Sequence, residues 1–268
     1  MPTAHWRNAL HESMAFIRHS LKKQNAHDIH SPFVFDLVTK VLNDERAFGV
    51  FDRIESERRL FEANHSYVDF KDFGAGSRYA KNGKRKIGEI ARSTLQPASH
   101  AQLLFRLVNF LQPKTILELG TSLGITTSYL ACANNKTKMI SIEGAESVAN
   151  LACALSEKLE IQNLKIFSGT FDQLLPLALE ELKFIDFALI DGNHRYEPTI
   201  HYFETILHHA STDACLVFDD IHWSAEMEKA WLKIINHSHV TLSLDFFDFG
   251  IVFLNNRLAK EHFVLAIP

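Results

Sequence analysis

Carboxylates that close apolar runs, one with a histidine close behind it, are the residues of this chain best suited to chemistry. Leu189 and Ile190 lead into Asp191, followed by Gly192, Asn193, His194, Arg195, Tyr196 and Glu197. A later run, Cys215 to Phe218, leads into Asp219 and Asp220, with His222 and Trp223 just beyond. Carboxylates accept protons and offer hard oxygens, and an imidazole titrates near neutrality. Upstream, Thr115 to Leu119 is an apolar run carrying Glu118, and Gly120, Thr121, Ser122, Leu123 and Gly124 follow it. That order reads as a buried strand, a tight turn and a helix start, with two glycines where a ligand could approach the backbone. Such a first crossover of an open parallel sheet is where nucleotide-like ligands bind. Glu143 closes a second apolar run, about 25 residues after Glu118.

The elements that must position these residues follow from the rhythm. Apolar runs at 115–119, 138–143, 164–168, 185–190 and 214–219 alternate with helical patterns near 123–134, 146–159, 171–182 and 197–210. Five such steps predict a parallel sheet covered on both faces. After a helix at 224–236, residues 239–244 and 249–254 read as strands too close in sequence for a crossover helix, so they must pair as an antiparallel hairpin.

Residues 1–112 have a different rhythm. Asn8 to Gln24 places Leu10, Met14, Ile17 and Leu21 on one helical stripe. Ser31 and Pro32 open a helix toward Asn43, 54–63 is a charged helix, and Gln96 and Pro97 open another with Leu103, Leu104, Leu107, Val108 and Leu111 inward. Residues 71–94 read as a long loop, a lid over the crevice. Within it Asp72 to Ser77 imitates a glycine-rich turn. The basic residues Arg78, Lys81, Lys84, Arg85 and Lys86 are expected to be solvated. The division expected is a helical extension over 1–112 and a ligand-binding domain over 113–268.

With 46% apolar and 22% charged residues in 268, the chain can bury a full core, and a net charge of −4 gives no general pull toward nucleic acid or anionic membrane. The basic cluster lacks the interleaved aromatics that nucleic-acid binding uses. No run approaches ~18 apolar residues, and the first residues lack a leader's apolar core, so a cytoplasmic protein without membrane partners is expected. Cys132, Cys153 and Cys215 lack metal-ligand spacing and read as reduced core residues. Histidines such as His27 and His30 read as surface or satisfied core groups.

From about 112 to 257 the chain resembles class I S-adenosylmethionine-dependent methyltransferases. Glu118 to Gly124 matches their first motif, Glu143 their ribose-binding acid, and Ser168 to Asp172 the loop bordering adenine. The pairing of Asp191, Gly192, His194, Tyr196 and Glu197 with Asp219 and Asp220 resembles metal-dependent O-methyltransferases of the catechol and caffeoyl-coenzyme-A type and of the macrolide-sugar type. The resemblance implies a Rossmann-like, doubly wound α/β fold with strand order 3-2-1-4-5-7-6, strand seven antiparallel.

It also implies S-adenosyl-L-methionine held by Glu118, Gly120, Thr121, Ser122, Gly124, Glu143, Gly144, Thr170, Phe171 and Asp191. Asp191, Asp219 and Asp220 would then hold Mg²⁺ or another divalent cation. Neighbouring parallel strands lie ~4.8 Å apart, so carboxylates at their ends converge, and such a cluster would repel itself without a cation. A bound metal would lower the pKa of a substrate hydroxyl.

Departures leave the base open. The catechol branch carries Asp-Asn where this chain has Asp219 and Asp220, and lysine at the position of His194. The sugar branch carries an acid where Asn193 stands. His194 is the chosen base and His222 the reserve. The expected activity is O-methylation of a small-molecule hydroxyl, by a chain that could also pair with a second copy. The rivals are a non-catalytic cofactor-binding protein and an NAD-dependent oxidoreductase. The latter calls for Gly-x-Gly-x-x-Gly after the first strand, which is absent here.

Overall fold

The computed structural model describes residues 4–23, 31–70 and 83–267. In chain order they form α1 (Ala4–Lys22), α2 (Pro32–Leu37), α3 (Gly49–Glu62), β1 (Tyr67–Asp69), β2 (Lys84–Lys86), α4 (Ile87–Thr94) and α5 (Ala98–Leu111). Then come β3 (Thr115–Leu119), α6 (Ile125–Ala133), β4 (Lys138–Glu143), α7 (Glu146–Lys158), β5 (Leu164–Ser168) and α8 (Phe171–Leu182). The chain continues through β6 (Ile185–Ile190), α9 (Tyr196–Leu207), β7 (Ala210–Asp219), α10 (Ala225–Ile235), β8 (Leu242–Asp245), β9 (Phe249–Phe253) and β10 (Glu261–Val264). Two compact units are present: Thr39–Lys183, and the chain up to Val38 together with Phe184 onward.

In the first unit β3, β4 and β5 run parallel in that order, Glu118 opposite Ser141 and Glu143 opposite Ser168. Every residue of β3 is buried, as a strand covered on both faces requires. α5 packs on α6 with Leu103, Leu104, Leu107 and Val108 buried, as their spacing predicts. The loop expected at 71–94 is not what forms over its second half. Residues 84–86 pair antiparallel with β1, and 87–94 is α4. Ile87, Ile90 and Ala91 are buried against Leu123, Ala145 and Val148.

The basic residues misled because their charge suggested solvent. Arg85 is instead buried, its guanidinium bonded to the Ser93 hydroxyl and lying 5.2 Å from the centre of the Phe70 ring. A cation with such partners tolerates burial. Asp72 to Ser77, Arg78 and Lys81, like His27 and His30, lie outside the described residues.

In the second unit β6 and β7 run parallel, β9 lies antiparallel to β7, β8 antiparallel to β9, and β10 parallel to β8. The strands of the two units thus reproduce the runs 3-2-1 and 4-5-7-6 of the expected order, strand seven being β9. β10 was not foreseen: it is four residues long and its sequence has little alternation. Gly250 lets Trp231 of α10 lie directly on β9, where a Cβ would stand 2.5 Å from the indole.

α1 forms as the spacing predicts, but its apolar stripe does not face a core. Leu10, Met14, Ile17 and Leu21 are 54, 50, 60 and 82% exposed. The docked face carries buried Ala15, together with His11, Arg18 and His19, which find acidic partners on α10 and β8. A helical period shows that a face is apolar, but not which face has a partner. Farther along, α2 runs into a π-helical turn at Val38–Leu42. Ser31 makes no side-chain cap bond there, although its carbonyl accepts from Phe35 N at 2.9 Å.

Candidate functional site

In the first unit the turn after β3 is built around buried oxygens. Glu118 is fully buried, and its Oε2 accepts from Ser141 Oγ at 2.5 Å and Thr127 Oγ1 at 2.6 Å. Thr121 Oγ1 meets Ser141 Oγ at 2.5 Å. This network joins β3, the turn, α6 and β4. Gly120 and Gly124 have φ of 107° and 80°, and Ser122, without a glycine's freedom, has φ 48°. At Gly124 a Cβ would lie 2.9 Å from the Cβ of Ala152, so this glycine serves the close approach of α7. The opening that the sequence offered a ligand at that position is taken by Ala152.

Glu143, at the end of β4, clasps the turn from the other side. Its Oε2 accepts from Ser122 N and its Oε1 from Ala145 N, both at 2.9 Å. Each carboxylate oxygen is thus fixed by a charge-assisted bond from a backbone N–H. Gly144 follows it. The Glu143 carbonyl accepts from Gly169 N at 2.9 Å, which brings the loop at Thr170 and Phe171, the start of α8, beside β4. Sequence reasoning missed Thr94, at the end of α4, whose Oγ1 lies 2.8 Å from Ser122 Oγ. Reading 71–94 as a loop hid it.

In the second unit the loops after β6 and β7 bring Asp191, His194 and Asp220 together. His194 Nε2 lies 3.6 Å from Asp191 Oδ1, and its Nδ1 lies 3.7 Å from Asp220 Oδ2. Asn193 and Asp220 hold left-handed φ of 63° and 55°, a conformation short polar residues tolerate best. Strained non-glycine residues in the loops that carry candidate groups are a recurrent mark of working sites. Asn193 Nδ2 donates to the Tyr202 hydroxyl at 3.3 Å, and Trp223 presents an edge 6.1 Å from the His194 ring. Burial raises the Asp220 carboxyl above the usual carboxylate range; His194 opposes the shift and Asp248 adds to it. Burial also raises Glu12 of α1, as do Asp220 and Asp248.

Asp219 is buried at the end of β7, paired through its backbone with Phe249. Among the described residues no three side chains of histidine, cysteine, aspartate or glutamate are arranged to hold a metal ion. The His194 ring stands between Asp191 and Asp220, so these side chains do not fit the expected three-carboxylate centre. His222 is engaged elsewhere. Its Nε2 contacts Asp245 Oδ2 at 2.8 Å, and its Nδ1 is buried, 4.0 Å from Glu228.

Asp245 was not singled out from the sequence. It receives Trp231 Nε1 at 3.3 Å and Phe247 N at 2.9 Å, and lies 3.3 Å from His19. Burial pushes its carboxyl up. The contacts of His19 and His222 and the Phe247 amide outweigh that and hold it well below the usual carboxylate range. The three cysteines are free thiols. Cys215 is buried and Cys132 and Cys153 half-buried, and burial raises the pKa of each.

Residues 117–221 match the model of a family described as a methyltransferase domain. A search of curated proteins by sequence found no significant match. Among solved structures, an O-methyltransferase from Bacillus cereus in complex with SAH is similar with a TM-score of 0.56 and 17% identity, over 82% of this chain and 97% of that one. The O-methyltransferase TomG from Streptomyces achromogenes, involved in tomaymycin synthesis and solved with SAM, gives 0.56 and 17%, over 79% and 92%. The SAH-bound methyltransferase PaMTH1 from Podospora anserina gives 0.58 and 13%, over 84% and 96%. At these identities the likeness shows the fold, which is Rossmann-like.

Proposed function

We propose, on the match of residues 117–221 to a methyltransferase-domain family model and on the Rossmann-like fold, that the chain is a class I methyltransferase that transfers a methyl group from S-adenosylmethionine to a hydroxyl of a small molecule. When bound, the cofactor supplies a methyl group activated on a sulfonium. The Gly120–Gly124 turn, Glu143 and the loop at Thr170 and Phe171 would hold it, with Glu143 taking the ribose hydroxyls. The observation that carries this reading is the Glu143 carboxylate, fixed to the glycine turn by Ser122 N and Ala145 N at 2.9 Å. Glu118, turned inward onto Ser141 and Thr127, keeps the turn in shape.

On the acceptor side, His194 would accept the proton of the substrate hydroxyl. Asp191 and Asp220, at 3.6 and 3.7 Å, balance the charge the ring acquires. Nucleophilic displacement at a sulfonium asks little more than alignment and removal of one proton. A sugar, phenol or other small hydroxyl compound is the acceptor class this supports. The extension over 1–112 is assigned to shaping acceptor choice.

A divalent cation has no step in this scheme. Turnover is expected to be indifferent to a chelator, and chelator-sensitive turnover would return Asp191, Asp219 and Asp220 to the role of ligands. The test of the cofactor reading is calorimetry with S-adenosylhomocysteine and with NAD. The wild-type chain should bind the former only. Glu143→Ala, which loses two charge-assisted hydrogen bonds and the ribose contact, should bind it about 100-fold more weakly. Unchanged affinity would reject the ribose role. Binding without methylation of any hydroxyl compound would favour the non-catalytic reading.

A further inference from the structure

We propose that Thr94 is a positioning residue for the candidate cofactor site, acting through the hydroxyl of Ser122 on the turn that Glu143 clasps; this inference rests on the cofactor reading above. Ser122 holds a left-handed φ of 48°, a conformation that a non-glycine residue keeps only where its surroundings fix it. Two side chains hold it. Its backbone N–H donates to Glu143 Oε2 at 2.9 Å, and its Oγ lies 2.8 Å from Thr94 Oγ1.

The hydroxyl hydrogens give that second bond a direction. Thr94 Oγ1 lies 2.9 Å from the Ile90 carbonyl, one turn back in α4, and a carbonyl only accepts. The single hydrogen of the Thr94 hydroxyl is spent there, so Ser122 donates its own to Thr94. The Ser122 hydroxyl is thereby fixed by an oxygen that is itself anchored to helix backbone. Threonine or serine at position 94 supplies such an oxygen. Valine, of the same shape as threonine, does not.

α4 can hold this position because it packs on both halves of the site. Its Ile87, Ile90 and Ala91 are buried with Leu123 of the turn and with Ala145 and Val148, which follow Glu143. The helix is tied in turn to the end of α3. Arg92 Nη1 donates to the Glu62 carbonyl at 2.5 Å, and Gly88 N donates to the Asn64 carbonyl at 2.9 Å. The Thr94–Ser122 bond itself lies open to solvent, where a hydroxyl pair adds little to folding. What it adds is orientation: it keeps Ser122 turned so that its N–H meets Glu143. Its loss should therefore be read in ligand affinity rather than in stability.

Calorimetry of the full chain with S-adenosylhomocysteine, beside urea unfolding, tests the role. Thr94→Val should weaken binding about five- to tenfold with the urea midpoint unchanged, and Thr94→Ser should stay within about twofold of wild type. In a Ser122→Ala chain, which has already lost the hydroxyl bond, Thr94→Val should cost less than about twofold more. A wild-type chain that fails to bind S-adenosylhomocysteine rejects the cofactor reading and this inference together. Where the wild type binds, the positioning role alone is overturned by Thr94→Val binding as tightly as wild type, by Thr94→Ser binding as weakly as Thr94→Val, or by a full further loss on top of Ser122→Ala. An affinity loss that accompanies a fallen urea midpoint overturns it too, since Thr94 would then serve the fold rather than the site.

Discussion

The glycine turn of the first unit and the histidine–carboxylate group of the second handle charge in opposite ways. Around the turn every named acid is tied down at hydrogen-bond distance: Glu118 by two hydroxyls at 2.5 and 2.6 Å, Glu143 by two backbone amides at 2.9 Å. Around His194 the carboxylates stand at 3.6 and 3.7 Å, too far for a direct hydrogen bond. A group fully committed to its neighbours holds shape and recognises a fixed ligand. The first arrangement suits a cofactor that is the same at every turnover, and the second suits proton transfer to a substrate.

Three substitutions test this contrast, from the largest effect to the smallest. His194→Ala should lower turnover by about 100-fold or more, the usual loss on removing a general base. S-adenosylhomocysteine affinity, measured by calorimetry, should stay within about twofold, since the ring has no part in the turn. Equal losses in both would mean that the ring acts on structure. Gly124→Ala should cost about 2–4 kcal/mol of stability in urea unfolding, combining left-handed strain with a 2.9 Å clash against Ala152. A cost under about 0.5 kcal/mol would show that α7 yields easily and that the turn is less rigid than its contacts imply.

The smallest effect concerns His19. Burial pulls its pKa down, but the Asp245 contacts outweigh that and raise it above the ordinary histidine value. A histidine raised in the folded state adds stability that is full below its unfolded pKa, near 6.5, and fades as pH rises through the folded value. The urea midpoint should therefore fall between pH 6 and pH 8, and fall less in His19→Gln. Parallel pH profiles would show that the pair carries no linkage to folding.

Much of the ligand-binding frame was legible beforehand because it is written in local periods. The strands at 115–119, 138–143, 164–168 and 185–190 form over those residues, and the β8–β9 hairpin follows from a gap too short for a crossover. α4 was illegible for a local reason. Lys84, Arg85 and Lys86 look like solvent, and only the Phe70 ring and Ser93, brought in by the fold, make burial of Arg85 tolerable.

The amino-acid order alone determined which segments become strands and helices, and it set acids at the strand ends. Hydrophobic period and turn chemistry act over a few residues and need no distant partner. Only the tertiary structure decided what those acids face. His19 reaches Asp245 across 226 residues, and His194 stands between two aspartates in place of the expected triad. The side of α1 that docks was decided in the same way. Desolvation, hydrogen bonding and ion pairing depend on groups that meet only after the chain has folded, so no local pattern encodes them.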